Sequence, residues 1–123
     1  EAKALKTRSD ISLAETTLFT TYPEVGHEND FLGFRAVADK VTLVRYGMDC
    51  YAYALLAAGH IDLVIEADLN SYDIQAPIAV IEAAGGCVTN WRGGPAHNGG
   101  QVVAAGAPHL LGQVLPLLTP FAD

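Results

Sequence analysis

The stretch CYAYALLAAGHIDLVIEADLNSYDIQAPIAVIEAAGG, residues 50–86, switches twice between helical and strand-like apolar patterns, and that switching decides the fold class. Residues 50–58 are rich in helix formers, with Asp49 in front as an acidic N-cap and Gly59 as terminator. IDLVIE at 61–66 has the nearly unbroken apolar character of a strand covered on both faces. A six-residue connection, 67–72, leads into a second helix over about 73–84, where Ile74, Ile78, Ile81 and Gly85 fall on one face. Pro77 is expected within its first turn, where a missing N–H has no helical partner to lose, and Gly85-Gly86 ends it.

Outward from this core the same alternation continues. TLFTT at 17–21 reads as a short strand closed by a Tyr22-Pro23 turn, and Asn29 or Asp30 caps a helix over about 31–39. VTLVRY at 41–46 is a strand that Gly47 stops. CVTNW and QVVAAG form a pair of strands joined by RGGPAHNGG, and a last helix begins near Pro108. The order β-α-β-α-β-α-β-β-α predicts an α/β fold, a mostly parallel sheet with helices on both faces, built as one domain over residues 1–123.

Half of the 123 residues are hydrophobic, enough for a real core. Fourteen acidic residues against seven basic ones give a formal charge of −7, which repels nucleic-acid backbones and anionic membrane surfaces. Neither is an expected partner; an acidic site that needs a cation fits the balance better. No apolar run approaches the ~20 residues of a membrane helix. Cys50 and Cys87 match no zinc spacing and read as buried free thiols, so a soluble, cytoplasmic, reducing location is expected.

In open α/β sheets ligands bind beyond the carboxyl ends of the strands. Thr20 and Thr21, the Gly47–Asp49 turn, and Glu66 with Asp73 all fall at such ends. Near a helix N-terminus Asp73 is favoured as an ionised carboxylate, the state a hard divalent cation requires, although a helix-start acid needs no ligand to explain it. Glu66, seven residues earlier, can flank the same loop or simply face water. Arg45 can attract an anion or pair with a carboxylate. The glycines and His97 of RGGPAHNGG match no phosphate-binding fingerprint and read as a hairpin loop. His27, His60 and His109 read as surface or capping residues, and Tyr51 and Tyr53 as core or groove residues.

The run YDIQAPIAVIEAAGGCVTNWRGGPAHNGGQVVAAG, residues 72–106, resembles the C-terminal signature of the inositol monophosphatase-like superfamily of metal-dependent phosphatases. Its marks are an aromatic-Asp pair opening a helix, E-A-x-G-G, a Thr-containing strand, a Trp-Gly loop and an A-A-G strand. RYGMDCYAYALLAAGHIDLVIEADLNSYD, residues 45–73, is similar to the histidinol-phosphate phosphatase branch, where R-Y-G-x-D-C-Y replaces the inositol enzymes' R-S-x-G-T-A type segment. The likeness runs from about Thr16 to Leu118.

The resemblance implies a phosphomonoesterase acting on a small phosphorylated metabolite, histidinol phosphate first and inositol phosphates second, with Mg²⁺ or Mn²⁺ as cofactor. It implies that Asp73 binds a catalytic Mg²⁺, that Glu66 contacts the hydroxyl or amine side of the substrate, and that Gly47 and Met48 line the substrate turn. Asp49 is then expected to face a cationic substrate end. Met48 departs from the small residue usual there, and Asn70-Ser71 from a Lys-Pro type pair. No D-P-I/L-D-G-T/S motif occurs, so most metal ligands are expected on an N-terminal half outside this chain. The 123 residues alone are then expected to be inactive, and to work as a homodimer or beside a complementing half. The competing expectation is a non-catalytic binding or dimerisation module.

Overall fold

In the computed structural model, which describes residues 4–22 and 27–123, five strands form one sheet in the order β2-β1-β3-β5-β4. The elements are β1 (Thr17–Thr20), α1 (Glu28–Ala38), β2 (Leu43–Tyr46), α2 (Tyr51–Ala57), β3 (Leu63–Leu69), α3 (Ser71–Ala83), β4 (Cys87–Asn90), β5 (Gly100–Ala105) and α4 (Pro108–Leu118). β1 pairs in parallel with β2 and β3, whereas β3–β5 and β4–β5 are antiparallel. The α/β class and the covering of both faces are as expected. The sheet is mixed because β4 and β5 are joined as a hairpin through RGGPAHNGG, leaving β5 to meet β3 head to tail.

Period-two alternation sorts the side chains into two cores. Val64, Val102 and Ala104 face α2 and α3, packing on Leu56, Ile74 and Ile81. Leu63, Ile65, Val103 and Ala105 face α1 and α4, with Phe34, Trp91, Leu110, Val114 and Leu118. Trp91, 1% exposed, donates its indole N–H to the Val102 carbonyl at 3.2 Å. An N-terminal strap is tied beneath the sheet: Arg8 forks onto buried Asp62 at 2.9 and 2.8 Å, and Asp62 also accepts the Thr17 N–H.

Five local expectations are corrected. Asp49 does not cap α2: Cys50 holds the N-cap position, without a side-chain cap bond, and Asp49 takes φ +48. α1 begins at Glu28, with Asp30 in its first turn accepting the His27 N–H at 2.6 Å. Residues 67–72 are no simple loop, because β3 continues through a register irregularity between Glu66 and Leu69. Pro77 lies in the second turn of α3, where its missing N–H removes the normal donor to the Asp73 carbonyl. Both cysteines are free, yet neither is buried as expected: Cys50 is exposed and Cys87 is half-buried. Pro23, half of the expected Tyr22-Pro23 turn, lies outside the described residues.

Candidate active site

The chain leaves β1 for α1 on one face of the sheet and leaves β3 for α3 on the other. Adjacent parallel strands whose helices diverge in this way open a crevice at their carboxyl ends. An open cleft of about 560 Å³ lies there, and Thr21, Asp49, Tyr53, Glu66, Asp68 and Asp73 are among the residues that line it.

Glu66 is the buried member of the acidic set. Strand β3 carries it inward at 7% exposure, and Thr21 Oγ1 donates to its Oε1 at 2.9 Å. Burial raises its pKa above the usual carboxylate range, the Thr21 hydrogen bond opposes that rise, and the charges of Asp49 and Asp73 add to it. The sequence allowed a solvated strand end; the extension of β3 beyond it makes Glu66 a wall residue instead.

Asp73 is the third residue of α3. Asn70 caps the helix and donates its own N–H to Asp73 Oδ2 at 2.9 Å, half of a reciprocal capping box. This fixes the carboxylate at the cleft and occupies one of its oxygens. The hairpin loop braces the same corner: Gly99, at φ +82, sits so close to Leu69 and Asn70 that no side chain fits, and Gln75 donates to the His97 carbonyl at 3.2 Å. RGGPAHNGG is therefore a hairpin loop, as expected, and also the buttress under Asp73.

Asp49 and Asp68 are the only non-glycine residues with positive φ, +48 and +56, among those described. Both stand on the cleft, and the left-handed backbone takes Asp49 out of the capping role that its residue type suggested. Asp68 was not singled out in the sequence, where it falls in the 67–72 connection with no distinguishing signal. Gly47 and Met48 are not wall residues. Gly47, at φ +86, ties the turn by donating to the Thr20 and Thr21 carbonyls, and Met48 packs against the α2–α3 core. Arg45 donates to the Val44 carbonyl and makes no ion pair among the described residues. Tyr51 is exposed, whereas Tyr53 is 4% exposed and reaches the cleft.

Carboxylate oxygens are the donors a hard divalent cation prefers. Asp73 fits as one such ligand, but among the described residues no group of three His, Cys, Asp or Glu side chains can hold an ion. Nor is any helix long and apolar enough to cross a membrane.

Fold and cleft together define an α/β protein with an acidic crevice at a switch point of its sheet. Residues 3–119 match the inositol monophosphatase family, and the chain belongs to that family. It is 48% identical over 89 residues to the bifunctional phosphatase IMPL2, chloroplastic, of Arabidopsis thaliana, covering 72% of this chain and 26% of that protein. A histidinol-phosphatase of Chlorobaculum parvum is 37% identical over 51 residues, covering 42% of this chain and 20% of its own length. Among solved structures, an inositol monophosphatase from Zymomonas mobilis superposes with a TM-score of 0.89 at 35% identity, over 94% of this chain and 46% of that one. The chain thus spans less than half the length of each of these relatives.

Proposed function

We propose that this chain is the C-terminal portion of a Mg²⁺-dependent phosphomonoesterase whose substrate is histidinol phosphate. The observation that carries this reading is the sign of the cleft: Asp49, Glu66, Asp68 and Asp73 line it, and among the described residues no Lys, Arg or His does. Such a wall repels a bare phosphate and attracts cations. A phosphate ester therefore enters with divalent metal at its anionic end, and a protonated amine at the other end finds a carboxylate partner.

Asp73 supplies one oxygen to Mg²⁺, and the remaining ligands come from a complementing N-terminal half or a partner chain. When bound, the metal neutralises the phosphate and polarises the attacking water. Glu66, held by Thr21, accepts from a hydroxyl or amine of the substrate, and Asp49 faces its cationic end. The similarity to the Zymomonas inositol monophosphatase favours inositol phosphates as the second reading.

The purified chain, assayed with Mg²⁺ and histidinol phosphate, is expected to show no turnover alone and to gain it when a metal-binding N-terminal half is supplied. Turnover at ordinary enzyme rates by the isolated chain refutes the incomplete-site reading. In the complemented enzyme Asp49→Asn is expected to weaken histidinol phosphate use far more than inositol phosphate use. Equal losses defeat the substrate assignment.

A further inference from the structure

Tyr53 presents a chemical problem that the fold does not solve. Its ring is buried among the α2–α3 core residues, and its hydroxyl has no hydrogen-bond partner among the described protein groups. An O–H desolvated in this way is costly, and a phenylalanine would fill the same volume without that cost. Yet Tyr53 borders the cleft that Asp49, Glu66 and Asp73 also line. Its hydroxyl is thus an unpaired polar group, shut off from solvent, on a residue that borders an acidic crevice.

We propose that Tyr53 is a specificity-determining residue, whose hydroxyl donates a hydrogen bond to an acceptor on the organic, non-phosphate end of the bound substrate. This rests on the phosphatase reading above and extends it to a residue that the metal chemistry leaves unused. The chemistry selects the role. Burial, and then the negative charges of Glu66 and Asp73, push the phenol's pKa upward, so it stays protonated and keeps its donor. The surrounding carboxylates are acceptors only, and they take the substrate's N–H and O–H groups. Tyr53 supplies the complement, a neutral donor for a substrate hydroxyl oxygen or an unprotonated ring nitrogen. A ligand offering both kinds of group, an imidazolyl amino alcohol phosphate or a cyclitol phosphate, satisfies both. An aliphatic amine phosphate leaves the hydroxyl unpaired.

The test compares wild type, Tyr53→Phe and Tyr51→Phe by chemical denaturation of this chain and, in the enzyme completed by a metal-binding N-terminal half, by the KM for histidinol phosphate and for inositol 1-phosphate with Mg²⁺. Tyr53→Phe is expected to be at least as stable as wild type and to raise the KM for the better of the two substrates about 3- to 10-fold, the scale of one neutral hydrogen bond. Tyr51→Phe, altered on an exposed ring, is expected to match wild type in both. A Tyr53→Phe chain less stable than wild type shows that the hydroxyl has a structural partner and overturns the proposal. Unchanged KM in Tyr53→Phe also overturns it, while leaving the phosphatase reading intact. Failure of the completed wild type to use either substrate overturns both together.

Discussion

Thr21 and Glu66, 45 positions apart, meet in a 2.9 Å hydrogen bond that ties the end of β1 to the middle of β3. The bond holds a carboxylate that is 7% exposed in a crevice whose other acids repel it. Its consequences are open to measurement.

Thr21→Val keeps the shape of the side chain and removes the donor. Glu66 should then titrate higher still, and the chain should lose about 1–3 kcal/mol once the carboxylate is charged. The sign follows from the raised folded pKa. Glu66 contributes stability below its ordinary value of 4.5 and loses that contribution as pH rises through its folded titration. Denaturation across pH should therefore show a steeper loss in Thr21→Val than in wild type, and Glu66→Gln should remove this component. An unchanged or shallower profile in Thr21→Val contradicts the assignment.

The observed capping role of Asp73 and its proposed metal-binding role can be separated by substitution. Asp73→Asn keeps an oxygen for the Asn70 N–H and should cost less stability than Asp73→Ala, which loses the cap bond at about 1 kcal/mol. Both should abolish the line broadening that Mn²⁺ causes at cleft residues in wild-type NMR spectra. Broadening that persists in both variants assigns the ion to other groups.

The Arg8–Asp62 fork should matter more than the exposed Arg35–Asp39 pair. Asp62 is 1% exposed, so Arg8→Ala leaves a buried carboxylate with the Thr17 N–H; Arg8 itself is 39% exposed, which tempers the cost to about 2 kcal/mol. Arg35→Ala should cost about 0.5 kcal/mol or less. Equal costs by urea denaturation contradict this ordering.

Gly99→Ala forces a side chain onto the Leu69–Asn70 backbone at positive φ, and should destabilise by about 2 kcal/mol or more. Because that corner starts α3, the substitution should also shift the NMR signals of Asp73 and Tyr72. Gly112→Ala, inside α4 with open space at its Cβ, is the unstrained comparison and should be at least as stable as wild type. Identical stabilities argue against the buttress.

Much of the fold was legible in local pattern. The isoleucines of α3 recur at helical spacing and bury Ile74 and Ile81 completely; the hairpin through RGGPAHNGG and the helix from Pro108 stand where composition put them. The errors came where backbone conformation depends on distant partners. Asp49 has the residue type of an N-cap, and nothing local reveals that its backbone turns left-handed instead. Asp68 falls in the stretch 67–72 that reads as a connection, and β3 outlasts its hydrophobic signal because β5 continues to pair with it at Leu69.

Period and terminators along the chain determined the elements, the two-faced core and the acidic charge, because each depends on neighbours within a few residues. Tertiary structure alone decided which acids share a wall, that Thr21 holds Glu66, and that the Tyr53 hydroxyl is buried without a partner among the described residues. Those facts depend on which strands lie side by side, and the order β2-β1-β3 places residues 45 positions apart within hydrogen-bond reach.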